Sequence, residues 1–187
     1  MNDSTSSKNR VCPAAHAGWL STPLRGLIQN PQRILHGLVV DGDTAVDLGC
    51  GPGFFTLPLA RMAGEAGTVI AVDLQQEMLD RLRLRAERAG LAQRVRLHRC
   101  TEDSLGLSAA ADFALAFYMV HEVPRPDAFL EQVQGILRPG GRFLLVEPRG
   151  HVSSAAWQRS LGIAAEAGMR VVSEPRLLYS RAALIER

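Results

Sequence analysis

The sequence predicts an α/β protein built on a doubly wound, mostly parallel sheet. Five short apolar segments alternate with stretches of helical period, the order expected of a parallel sheet covered on both faces. A glycine-rich turn stands between the first strand and the first helix of that series, where open α/β sheets place their ligands. Two further strands close the chain with too short a link for a helical crossover, so they pair antiparallel.

Each element has its own signal. Apolar residues recur near helical spacing from Leu24 to Leu38, and Pro31 divides them into two short helical pieces. After the turn Asp41-Gly42-Asp43, Thr44–Leu48 is the first strand, and a helix follows the glycines from about Phe54 to Gly64. Thr68–Val72 is the second strand. The helix from Gln75 to Ala89 buries Met78, Leu79, Leu82, Ala86 and Ala89, and Gly90 stops it. Val95–His98 and Asp112–Phe117 are the third and fourth strands. The helix Asp127–Leu137 turns Phe129, Leu130, Val133 and Leu137 inward, and Pro139-Gly140-Gly141 separates it from the fifth strand, Arg142–Glu147. Ser153–Ala167 is a helix with Gly168 as its stop, and Met169–Ser173 and Leu177–Glu186 are the closing strands.

Composition bounds the rest. A chain of 187 residues, 47% hydrophobic, fits one domain that buries a core without disulfides or structural metal. Mean hydropathy of +0.01 is too apolar for a disordered chain. No apolar run of about eighteen residues spans a bilayer. The polar start Met1–Arg10 lacks the apolar stretch of a signal peptide, so the expected location is cytoplasmic. A net charge of +2 predicts no polyanionic partner, and no basic-aromatic stripe argues for RNA or DNA. Lys8 is the only lysine among 21 cations, a bias read as codon usage. Cys12, Cys50 and Cys100 are odd in number and far apart, and read as free thiols.

The sharpest motif is Val46-Asp47-Leu48-Gly49-Cys50-Gly51-Pro52-Gly53-Phe54, followed by Asp73 at the end of the second strand. Glycines let the backbone turn sharply and approach a ligand closely. An acid about twenty residues on suits a ribose. Two cofactors fit that outline. The dinucleotide pattern G-x-G-x-x-G needs glycine at 54 or 56, where the chain has Phe54 and Thr56. Asp47 repels a pyrophosphate but suits an amino group, and Pro52 removes one backbone donor.

Asp47-Leu48-Gly49-Cys50-Gly51-Pro52-Gly53 resembles motif I of the class I S-adenosylmethionine-dependent methyltransferases. Ala71-Val72-Asp73 resembles their second motif, and Leu137-Arg138-Pro139-Gly140-Gly141-Arg142-Phe143 the segment before their fifth strand. The resemblance implies a Rossmann-like seven-stranded sheet in the order 3-2-1-4-5-7-6, with strand seven antiparallel. It makes residues 41–187 the S-adenosylmethionine-binding domain and leaves 1–40 as an N-terminal arm or lid. Asp47 is then near the methionine amino group, and Gly49, Cys50, Gly51 and Gly53 pass under methionine and ribose. Asp73 accepts the ribose hydroxyls, with Leu74 and Phe117 also against the cofactor. The adenine reader falls on Thr101, Glu102 or Asp103.

An in-line nucleophile must reach the methyl at near-attack distance, so acceptor residues follow the fourth and fifth strands. Tyr118, His121 and Glu122 leave the fourth strand, with His121 a candidate base. His151, in Glu147-Pro148-Arg149-Gly150-His151, leaves the fifth. Cys12, His16 and Trp19 give the arm unusual chemistry, but no zinc site. The expected reaction is methyl transfer to a small-molecule acceptor. Sparse acid–base equipment suggests a soft one, such as a thiol or a metalloid. The alternatives are a nicotinamide-dependent oxidoreductase and a module that binds the cofactor without turnover.

Overall fold

The computed structural model describes residues 29–187. Most of the expected arm, with Cys12, His16 and Trp19, and the first helical piece near Leu24 lie outside the described residues. Twelve elements follow in order: α1 (Pro31–Leu35), β1 (Thr44–Leu48), α2 (Thr56–Met62), β2 (Thr68–Asp73), α3 (Gln76–Arg88), β3 (Val95–Arg99), β4 (Ala111–Phe117), α4 (Pro126–Ile136), β5 (Leu137–Pro148), α5 (Ser154–Glu166), β6 (Arg170–Ser173) and β7 (Ser180–Glu186). The sheet has the order β3-β2-β1-β4-β5-β7-β6. Strands β1 to β5 pair in parallel, and β7 runs antiparallel to both β5 and β6. The seven-stranded architecture expected from the sequence is the one observed.

The central strands β2 and β4 read as nearly unbroken apolar runs because both faces of the sheet are covered there, whereas the strands β3 and β6 at its edges are largely exposed. Side chains alternate strictly between two cores. Ala45, Val69, Ala71, Phe113, Leu115, Leu144 and Val146 pack with Leu35, Leu59, Leu79 and Leu82 of α1, α2 and α3. Their neighbours Val46, Leu48, Ile70, Val72, Ala114, Phe143 and Leu145 pack with Leu130, Val133 and Trp157 of α4 and α5. A one-residue slip of any central strand would exchange the two sets.

The boundaries that differ from expectation have local causes. Pro31, which divides the apolar run, is the first residue of α1, and the Asn30 side chain accepts from the Gln32 and Arg33 amides to cap it. Helix α2 starts at Thr56, two residues late, because Phe54 and Phe55 still belong to the turn that leaves the glycines. Ala89 is the exposed C-cap of α3, not part of its buried stripe. Gly90 does stop that helix, with φ of 68° and the Leu91 amide returning to the Ala86 carbonyl. Strand β5 begins at Leu137, five residues early. Leu137 pairs with Ala111 before an irregularity, and the Gly140 amide and Gly141 carbonyl both bond to Arg187. The Pro-Gly-Gly segment is thus a paired entry to the strand.

Chain order reverses between β1 and β4. The carboxyl ends of these two strands open the crevice in which such sheets bind ligands, and the loops of interest converge there. Phe143 is fully buried in the α4–α5 core. Replacing it with alanine is expected to cost about 3–5 kcal/mol in urea denaturation, with the m-value unchanged.

Candidate active site

The glycine turn is held from three sides. The Gly49 and Cys50 amides both donate to the Val72 carbonyl at the end of β2, at 2.9 and 3.0 Å. The Gly51 amide donates to Asp73 Oδ2 at 2.8 Å, and the Gln75 amide to Asp73 Oδ1 at 2.9 Å. From beneath, Arg85 of α3 donates to the Pro52 carbonyl at 2.5 Å. Asp73 therefore latches the loop after β1 to the loop after β2. Each of its oxygens keeps a lone pair for another donor. Burial pushes its carboxyl above the ordinary range, while the Gln75 and Gly51 amides pull it back.

Two glycines are required for different reasons. At Gly53, with φ of 88°, a Cβ would run into the Leu82 side chain. At Gly51, with φ of 51°, a Cβ would meet nothing within 4 Å. That surface lies open beside the Asp73 carboxylate. Asp47, next to last in β1, is buried and accepts from the Thr56 hydroxyl at 2.5 Å.

The other cofactor candidates sit around this loop. Phe117 is buried at the end of β4 and packs on Phe55, with ring centroids 4.4 Å apart. Leu74 is half-buried beside Asp73, and its carbonyl accepts from Arg99. Thr101 closes its own turn, accepting from the Ser104 amide, whereas Glu102 and Asp103 are exposed. Cys100 hangs from the Asp73 carbonyl through its amide. Burial pushes the Cys50 and Cys100 thiols up, with nearby carboxylates adding to the effect. Both stay protonated near neutral pH, unlike the thiolates that bind soft metals. No cluster of three or more metal-ligating side chains occurs among the described residues.

On the acceptor side the structure brings together what the sequence separates. His121 Nδ1 lies 2.5 Å from Glu147 Oε2, and the His121 amide donates to Glu147 Oε1 at 3.2 Å. Glu147 is almost wholly buried at the end of β5, so its carboxylate holds both the imidazole and its backbone turn. The hydrogen bond from Glu147 raises the pKa of His121 above the ordinary histidine value. The His151 ring is 5.9 Å from that of His121. Tyr118 does not join them: its hydroxyl is 2.5 Å from the Ser180 hydroxyl, and its ring packs on Phe117. With φ of 63°, Tyr118 is held in a left-handed conformation at the end of β4.

Sequence reasoning missed Glu147 as a partner, along with Thr56 and Arg85. A lone acid inside the apolar run Leu144-Leu145-Val146-Glu147 was the available signal for the first.

A mostly parallel sheet of this order, with β7 antiparallel and a latched glycine loop at its switch point, is the class I methyltransferase fold. The family model described as a methyltransferase domain matches residues 45–141, just over half of the chain. A structure titled as a SAM dependent methyltransferase from Aquifex aeolicus superposes with a TM-score of 0.85 at 25% identity, covering 94% of this chain and 99% of that one. A fatty-acid O-methyltransferase of Mycolicibacterium smegmatis is 31% identical over 135 residues, 72% of this chain and 47% of the relative. A demethylmenaquinone methyltransferase of Lactobacillus johnsonii is 28% identical over 123 residues, 63% of this chain and 50% of the relative. The chain spans about half or less of the length of the curated relatives it matches. It belongs to the S-adenosylmethionine-dependent methyltransferase-domain family, whose cofactor is S-adenosylmethionine, and the nicotinamide alternative falls away. Among the described residues, no helix is long and apolar enough to cross a membrane.

The two glycines answer to different steric constraints. Gly53→Ala is expected to unfold at markedly lower urea than wild type. Gly51→Ala should keep its fold at a cost of about 1–2 kcal/mol from left-handed strain.

Proposed function

We propose that the protein transfers a methyl group from S-adenosylmethionine to a small-molecule acceptor. The observation that carries this reading is the Gly51-to-Asp73 latch, which sets a carboxylate beside an open glycine surface at the switch point. S-adenosylmethionine, when bound, supplies an electrophilic methyl on a sulfonium. Asp73 then takes the ribose hydroxyls, and the loop of Gly49, Cys50, Gly51 and Gly53 lies under ribose and methionine. Asp47, kept in place by Thr56, faces the methionine ammonium. Leu74 and Phe117 wall the site, and the adenine amino group goes to the loop of Thr101, Glu102 and Asp103.

On the acceptor side, His121 handles the proton. A carboxylate only accepts, so the short contact is Nδ1–H donating to Glu147. In the neutral imidazole this leaves Nε2 with a free lone pair. Glu147 fixes the ring and stabilises the imidazolium that forms once a proton is taken. His151, on the neighbouring loop, orients the acceptor or excludes water. Tyr118 acts through packing, since Ser180 engages its hydroxyl. This equipment suits an acceptor that needs a base to give up its proton, such as a phenol or alcohol, and a thiol, which sheds its proton more readily, needs it less. Quinone and fatty-acid methyltransferases among the relatives are consistent with a small acceptor. We propose further that the enzyme is soluble and cytoplasmic, with neither nucleic acid nor membrane as its partner.

Methyl-labelled S-adenosylmethionine offered with phenols, carboxylic acids and thiols tests the reading. Transfer to an oxygen acceptor is expected, and no transfer to any panel member would overturn it. In the active pairing, the rate should rise with pH as His121 loses its proton, with the acid limb above the ordinary histidine value. Glu147→Gln removes the cause of that raised pKa. Its acid limb should shift to lower pH, and its plateau kcat should fall about 10- to 100-fold while KM for the cofactor holds.

A further inference from the structure

A cavity of about 300 Å³ opens between α1 and the loop that leads into β7. It reaches Phe117, the residue whose ring packs on Phe55 just beyond the glycine loop, so it abuts the cofactor region. Its size is at the small end of the range for small-molecule sites. One part of its wall is apolar, made by Ile34, Phe117, Leu177 and Leu178. The other part carries two arginines, Arg33 from α1 and Arg176 from the β6–β7 loop, and no aspartate or glutamate lines it.

Three further facts bear on what this cavity takes. Among the described residues neither Arg33 nor Arg176 makes an ion pair, a state they share with most of the described arginines. Leu178 is 61% exposed, an apolar side chain left at the cavity rim. The scaffold behind the arginines is ordered. Leu35 is fully buried and anchors α1, and Ile34 and Leu177 pack against the same core. Two exposed arginines beside an apolar wall match a ligand with an anionic end and an apolar body. Arginine suits a planar oxyanion because its fork of donors fits two carboxylate oxygens.

We propose that this cavity is the acceptor subsite and that it takes a small organic acid. The carboxylate pairs with Arg33 and Arg176, and an aromatic or alkyl body lies against Ile34, Leu177, Leu178 and Phe117. The inference rests on the methyltransferase reading for the word acceptor, but the binding it claims is independent of turnover. It also gives residues 31–35 of the expected lid a stated task, the supply of one charge and one apolar contact.

Calorimetric titration of the full chain with benzoate, 4-hydroxybenzoate and octanoate, each beside its uncharged amide, tests this. At least one acid should bind at least about tenfold tighter than its amide. The double variant Arg33→Gln/Arg176→Gln should lose that preference and keep its affinity for S-adenosylhomocysteine, which reports an intact fold. Equal binding of every acid and amide, or a double variant that binds the acid as wild type does, would overturn the proposal. Failure of wild type to bind S-adenosylhomocysteine at all would instead sink the methyltransferase reading, so the two failures are told apart.

Discussion

The carboxylate of Asp73 is the point on which the site is assembled. It accepts the Gly51 amide through one oxygen and the Gln75 amide through the other, so two turns from adjacent strands share a single anion. Without it, the Gly51 N–H would be an unpaired donor in a loop already bent through three left-handed glycines. The Val72 carbonyl and Arg85 secure the loop on either side. The arrangement is costly, since burial disfavours the charge. That cost places a hydrogen-bond acceptor beside a surface kept bare by Gly51, and the proposed chemistry depends on that adjacency.

Much of the fold was legible because its signals are local. Continuous apolar strands, a helix stripe at Met78, Leu79, Leu82 and Ala86, and glycine stops at Gly90 and Gly168 act within a few residues of themselves. The strand order came from a resemblance, since periodicity alone fixes no neighbours. Boundaries failed where tertiary pairing overrode local preference. Leu137 leaves its helix pattern to pair with Ala111, and the Arg187 backbone completes the entry to β5. Pro31, which divides the apolar run, opens α1 behind the Asn30 cap.

The site was legible to a different degree on its two sides. Cofactor residues follow strands β1 and β2 in a compact motif, so spacing carries them. The acceptor side is assembled across sequence. His121 and Glu147 are 26 residues apart and meet only because β4 and β5 are neighbours, with Ala116 opposite Leu145 and Phe117 opposite Val146. Nothing local announces that Tyr118 is turned toward Ser180 instead, 62 residues on. The arginine-rich composition similarly hid Arg33 and Arg176, which gain meaning only from the cavity they share.

The most direct measurement is a crystal structure of the protein with S-adenosylhomocysteine. The account predicts the ribose hydroxyls within hydrogen-bond distance of Asp73, the ligand backbone over Gly51, and the sulfur facing the end of β4 near Phe117. A ligand bound elsewhere, or one seated at the crevice whose ribose makes no contact with Asp73, would contradict it.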